Sequence, residues 1–162
     1  MIFPDEKIEG EFKPISIGQA LDPVIRRVIR YREIASQLKG LCESPIEEAL
    51  GVAILEWFGC SIQVCKDPKD GDCPLVLIPQ YRWSFYRSDF ALFEHEIPLL
   101  IECDGKNFHS SEKQREHDLR KDMAAADRHM QTIRFSGQQI YKDALSCAEE
   151  IGEHFKSRPE GG

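Results

Sequence analysis

Residues 97–109 read IPLLIECDGKNFH, and the fold turns on how this stretch is read. An apolar run delivers Glu102 and Asp104, then breaks at Gly105 into a segment carrying Lys106 and His109. Successive side chains of a strand alternate faces, so Glu102 and Asp104 project together while Leu99, Ile101 and Cys103 point the other way. Two carboxylates closing an otherwise buried strand are unfavourable unless a divalent cation or a basic partner compensates them. Upstream, residues 86–93 (YRSDFALF) read as a second strand with a single acid, Asp89, among apolar neighbours. Adjacent strands that each offer a carboxylate near one edge can form an oxygen-rich Mg²⁺ site suited to phosphate chemistry. A plainer account stands beside it: Asp104-Gly105 is an ordinary turn, and Glu102 pairs with Arg87 across the sheet.

Length and composition bound the rest. A chain of 162 residues can build one domain with a real core. Apolar residues at 41% and charged ones at 30% read as globular rather than disordered. No apolar run approaches a membrane span, and Met1–Glu11 lacks the basic and apolar regions of a signal peptide, so a cytoplasmic protein without a membrane partner is expected. The six cysteines are then expected to stay reduced. Cys60, Cys65 and Cys73 lie close together, but their spacing matches no paired zinc knuckle. A formal net charge of −7 weighs against nonspecific binding to nucleic acid, whereas residues 26–39 concentrate Arg26, Arg27, Arg30, Arg32 and Lys39 against Glu33 alone.

The pattern of apolar residues orders the chain. Asp22-Pro23 reads as the start of a helix with Val24, Val28, Tyr31, Ala35 and Leu38 as its stripe, closed by Gly40. A second helix starts at Ser44-Pro45 with Ile46, Leu50, Ala53, Ile54 and Trp57 on one face and ends at Gly59. Strands are predicted at Ser61–Cys65, Leu75–Gln80, Ser84–Phe93 and Pro98–Cys103, with a loop over Lys66–Cys73. A long helix over Ser110–Met130 should bury Leu119, Met123, Ala126 and Met130, leaving Lys113, His117, Arg120, Lys121 and Arg128 on a solvated side. A short strand at Thr132–Phe135 and a helix over Gln138–Phe155, buried through Ile140, Ala144, Ala148, Ile151 and Phe155, complete an α/β fold. The expected architecture is a mixed sheet with helices on both faces.

The acids and their order resemble the PD-(D/E)XK nuclease superfamily, and most nearly the domains similar to the very-short-patch repair endonuclease. The residues that carry the likeness are Glu43-Ser44-Pro45-Ile46-Glu47-Glu48, Tyr86-Arg87-Ser88-Asp89-Phe90, and Ile101-Glu102-Cys103-Asp104-Gly105 with Phe108-His109. It continues through Arg115 and Asp118, Ile133-Arg134-Phe135-Ser136-Gly137 with Ile140, and Cys147-Ala148-Glu149-Glu150-Ile151. It spans residues 43–151 and leaves the basic N-terminal helix outside. The resemblance implies a restriction-endonuclease-like three-layer α/β/α core over 43–156, an N-terminal extension over 1–42 and a flexible tail over 157–162. It also implies hydrolysis of phosphodiester bonds in nucleic acid, DNA foremost, with Mg²⁺ or Mn²⁺. Asp89, Glu102 and the backbone carbonyl of Cys103 would hold the cation, and a homodimer is compatible with this reading. The rival reading is a noncatalytic nucleic-acid-binding or protein-interaction domain that keeps the fold and its acids.

Where many members of the superfamily carry lysine two residues after the glutamate, this chain has Asp104, an acid that its closer relatives share. Proton transfer and charge stabilisation then fall to Lys106 and His109, and Lys106 stands where those relatives often have histidine. His109 is suited to act as general base or acid, or else is a loop histidine bonded to backbone. Glu47 completes a capping box with Ser44, which explains it without catalysis, yet its place at the border of the apolar helix face lets it reach the sheet edge as an active-site acid. Arg115 lies one turn into the long helix, placed to contact a phosphate or orient a carboxylate. Arg26, Arg27 and Arg30 are the expected contacts to a nucleic-acid backbone.

Overall fold

The computed structural model describes residues 17–105 and 112–156, without the side chains of residues 17–20, 23, 24, 27 and 31. Lys106, His109, the expected helix start at Ser110 and the tail from residue 157 lie outside the described residues. At the centre is a five-stranded sheet whose spatial order follows the chain: β1 (Ile62–Val64), β2 (Leu75–Trp83), β3 (Tyr86–Phe93), β4 (Leu99–Asp104) and β5 (Gln131–Ser136). The sheet is mixed: β2–β3 and β3–β4 are antiparallel, β1–β2 and β4–β5 parallel. β2 runs three residues past its predicted end at Gln80, and β3 starts at Tyr86 because Ser84 and Phe85 form the hairpin turn.

Strand alternation divides the core in two. Leu75, Leu77, Phe90, Leu92, Leu99, Ile101 and Phe135 face α1 (Ile17–Leu38), α2 (Pro45–Phe58) and α4 (Gly137–Lys156), which supply Leu38, Leu50, Ile54, Ile140 and Ile151. Val76, Ile78, Ala91, Phe93 and Leu100 face the other way, where α3 (Glu112–Ala126) and the turn after it contribute Ala125 and Met130. Phe90 is fully buried, and burying such a side chain is worth about 1.5–3 kcal/mol over leaving it exposed. Gly51 makes this packing feasible: a Cβ there would stand 2.7 Å from Leu38 Cδ1 and 3.1 Å from Phe90 Cζ.

The helices follow local signals with instructive departures. Ser44 caps α2, Pro45 opens it, and Gly59 ends it at φ +63°. Trp57, expected on the buried face of α2, is 41% exposed, because its indole lies at the edge of the α2–α4 contact against Gly152. α1 begins at Ile17, upstream of the predicted cap at Asp22, and Pro23 lies inside it. Gln19, Ala20 and Leu21 are adequate helix formers and carry the helix back past that point. Among the described side chains of α1 only Ile34 and Leu38 reach the core; Val28 and Ala35, placed in its stripe by sequence, are exposed, and the side chains of Val24 and Tyr31 lie outside the described residues. α4 is two helical pieces joined at Asp143, whose backbone is extended and whose carboxylate caps the second piece by accepting from Ser146 N–H and Oγ.

The largest departure is α3, which is turned relative to its predicted stripe. Leu119 and Met123 are about 60% exposed and Ala126 is exposed too, whereas Asp118, Lys121 and Asp122 are half-buried and Ala125 is buried. Met130 is buried but lies beyond the helix, after a turn in which His129 takes φ +58°. The inward face therefore reads Asp118, Lys121, Asp122, Ala125, a helical spacing of mostly charged residues. Lys121 and Asp122 find partners on the sheet in Glu102 and Arg134, which offsets the loss of apolar burial.

Candidate functional site

The site grows from the place where β3 and β4 stop pairing. Their ladder runs Leu92–Leu99, Ala91–Leu100 and Phe90–Ile101 and ends there; the next rung would set Asp89 opposite Glu102. At that point Asp89 Oδ2 accepts the Cys103 N–H at 2.6 Å, so a side chain carries the strand contact onward. Cys103 turns its own side chain towards the α2–α4 core, as alternation demands.

A second irregularity sits one strand away. β2 and β3 pair on both sides of Gln80 and Asp89 in unchanged register, but the rung between those two residues is missing. Before it, Leu75 and Leu77 face α2 and α4; after it, Tyr81 and Trp83 face the α3 side. On β3, Phe90 and Leu92 face α2 and α4, while Tyr86 faces the α3 side. Both strands thus reverse their alternation across one rung, and Gln80 takes the turn at φ +52°. Its Nε2 donates to Glu47 Oε2 at 2.7 Å, and its Oε1 is buried without a hydrogen bond from any described residue.

Glu47 is buried, as a border position on α2 allows, while Glu48 beside it is exposed. Its carboxylate accepts from the Glu43 N–H at 2.8 Å, the Ser44 hydroxyl at 2.6 Å and Gln80. The capping box is therefore present with a shifted return bond: it reaches the Glu43 amide rather than that of Ser44. Glu102 pairs with Lys121 of α3, Oε1 to Nζ at 2.6 Å, with side chains only 13% and 12% exposed. Lys121 Nζ also donates to the Arg87 carbonyl at 2.5 Å. Arg87 turns its guanidinium to Glu43 in a two-pronged pair at 2.6 and 2.7 Å, so the expected Glu102–Arg87 pair does not form. Arg134, opposite Glu102 on β5, pairs with Asp122 of α3. Ser88 is fully buried and accepts from Trp83 Nε1 at 3.1 Å, which fixes the strand beside Asp89.

Burial pushes the Asp89 carboxyl up to about 6; the Cys103 N–H opposes this, Glu102 and Glu47 add to it, and Lys121 opposes it. Burial, reinforced by Glu47, Glu48 and Asp89, pushes the Cys42 thiol up to about 12, and burial raises Cys103 as well. Both thiols are thus neutral near pH 7 and poor ligands. The donors left are oxygens of Glu47, Gln80, Asp89 and Glu102, the set a hard cation such as Mg²⁺ prefers. Among the described residues, no three His, Cys, Asp or Glu side chains converge as a finished metal cluster, and Lys121 supplies the positive charge beside Glu102. Mutual repulsion of the acids at Asp89 and the orphaned Gln80 oxygen suit a cation between these elements.

Of the other residues singled out from sequence, Asp104 is exposed at the end of β4, paired with Ser136 of β5. Arg115 is on the exposed first half of α3. Arg26 pairs with Asp22 at 2.7 Å and Arg30 approaches Glu56 at 3.8 Å, both on α1 and apart from the acids of the sheet edge. The side chain of Arg27 lies outside the described residues. Sequence reading overlooked Lys121 and Gln80. The first is signalled by the spacing of Asp118, Lys121, Asp122 and Ala125, visible once Leu119 and Met123 are not taken as the buried stripe; the second carries no sequence signal. No described helix is long and apolar enough to cross a membrane. The chain matches no protein-family model, no curated protein and no solved structure.

Proposed function

We propose that the protein is a divalent-metal-dependent endonuclease of the PD-(D/E)XK kind, hydrolysing phosphodiester bonds in nucleic acid, DNA foremost. The observation that carries this reading is the meeting of Asp89 and Glu102 where the β3–β4 ladder ends, with Lys121 against Glu102. Asp89 and Glu102, with the Cys103 carbonyl, would hold Mg²⁺ or Mn²⁺. Such an ion, when bound, polarises the phosphate and lowers the pKa of a water. Glu47, held by three donors, adds a fixed negative charge behind them. Lys121 reaches the acids from a helix and supplies the cationic group that Asp104, two residues after Glu102, does not; its ammonium can stabilise charge that builds on the phosphate. This revises the division of labour expected from sequence, with Lys106 and His109 left as the proton-handling candidates of the adjoining segment. Arg115, Arg26, Arg27 and Arg30 are the proposed backbone contacts.

The test is incubation with single-stranded, duplex, mismatched and branched DNA, with and without Mg²⁺ or Mn²⁺, using Asp89→Ala and Glu102→Ala as controls. Metal-dependent cutting lost in both variants is the expected result; cutting that survives in both overturns the assignment. One observation favours a second reading, a noncatalytic nucleic-acid-binding domain: Lys121 already neutralises Glu102 without a cation. Tight binding of DNA with no cutting under either metal would select it.

A further inference from the structure

We propose that Gln80 is a further member of this site, its amide nitrogen holding Glu47 in place and its Oε1 serving as an oxygen donor to the divalent cation. The inference rests on the nuclease reading above. Gln80 combines two unfavourable features in one residue. A non-glycine residue in the left-handed region is strained, and Gln80 adopts φ +52° inside a strand whose register is otherwise unbroken. A buried acceptor without a donor is unfavourable, and its Oε1 is one. Both are located beside the acids: Gln80 stands at the missing rung opposite Asp89, and its Nε2 bonds Glu47.

The amide suits this position chemically. The Nε2 contact to Glu47 fixes the orientation, because a carboxylate oxygen accepts only from the NH₂ end, so the oxygen is the end left without a donor. A group needed only to compensate Glu47 would leave no buried acceptor. A further carboxylate in its place would add to a repulsion that already acts between Asp89, Glu102 and Glu47. A neutral oxygen supplies coordination without that charge, as amide carbonyls do in hard-cation sites. The reversal of alternation on β2 and β3 is what aims the side chain at α2 instead of leaving it among Val76 and Ile78.

Calorimetric titration of the full chain with Mn²⁺ tests the inference, comparing the parent with Gln80→Met, Gln80→Glu and Asp89→Ala. Gln80→Met keeps the length and removes both polar ends; it should weaken Mn²⁺ binding by about 10-fold or more. Gln80→Glu keeps an oxygen donor but sets a second charge against Glu47, so it should bind Mn²⁺ well. Its melting temperature should also rise more on adding Mn²⁺ than that of the parent, because only a cation relieves the new repulsion. A purely structural role predicts instead that Gln80→Glu is destabilised to the same degree with and without Mn²⁺, which overturns the inference. Gln80→Met binding Mn²⁺ as the parent does, while Asp89→Ala does not, overturns it and leaves the nuclease reading standing. A parent that binds no Mn²⁺ overturns both. Should Gln80→Met fail to fold, the Mn²⁺-dependent shift of Gln80→Glu decides.

Discussion

Asp89 gives the protein a pH signature that can be read without any substrate. Its carboxyl is pushed up to about 6, first by burial, against an ordinary value of 3.8. Between those values the folded protein binds a proton that the unfolded chain has released. The Asp89 contribution to stability is therefore highest below 3.8, declines as pH rises to about 6, and is level above it. Urea unfolding at a series of pH values should show this decline in the parent and a flatter profile in Asp89→Asn; parallel profiles would refute the assignment. Lys121 makes a separate prediction. Lys121→Met strands the Glu102 carboxylate in a setting only 13% exposed, and such a change destabilises by about 3 kcal/mol or more. Adding Glu102→Gln should recover much of that stability in thermal melts, since the double change removes the charge with its partner. A double variant no more stable than Lys121→Met would mean that the lysine acts through the Arg87 carbonyl instead.

Among the elements, the strands were legible and the helix beside them was not. Alternation along IPLLIECD placed Glu102 on the face opposite Ile101 and Cys103, because the period of a strand has no freedom once one face is buried. The stretch YRSDFALF delivered Asp89 to the neighbouring strand for the same reason. That logic fails at Gln80, where both strands reverse phase and glutamine gives no sign of a left-handed backbone. It fails differently on α3, since the search for an apolar stripe assumes that burial outweighs charge pairing, whereas Lys121 and Asp122 turn inward to Glu102 and Arg134. The β2–β3 hairpin offers an independent check on backbone geometry. Its two-residue turn begins with Ser84 at φ +50°, a position that favours glycine. Ser84→Gly should stabilise the protein by about 0.5–1 kcal/mol, the contact from Arg128 to the Ser84 hydroxyl being long at 3.4 Å. A fall in melting temperature would show that this contact outweighs the strain.

For the molecule as a whole, a net charge of −7 and a basic α1 make opposite demands on a polyanionic partner, and salt dependence separates them. If Arg26, Arg27 and Arg30 contact phosphates, replacing all three should reduce the slope of log affinity against log salt by up to about 0.9 for each phosphate no longer neutralised. An unchanged slope would return α1 to the role of a solvated helix whose arginines meet Asp22 and Glu56. The inverted α3 has a consequence of another kind. A helix held to the sheet through Lys121, Asp122 and Ala125, with Leu119 and Met123 already in water, loses little apolar burial of its own when it lifts away, although it uncovers part of the layer of Ala91, Phe93 and Leu100 beneath it. Amide exchange in α3 should therefore proceed through an opening of lower free energy than global unfolding, one that responds to salt, while amides of β3 and β4 wait for global unfolding. The acids of the sheet edge would then be uncovered in a fraction of otherwise native molecules, at a frequency set by ionic strength.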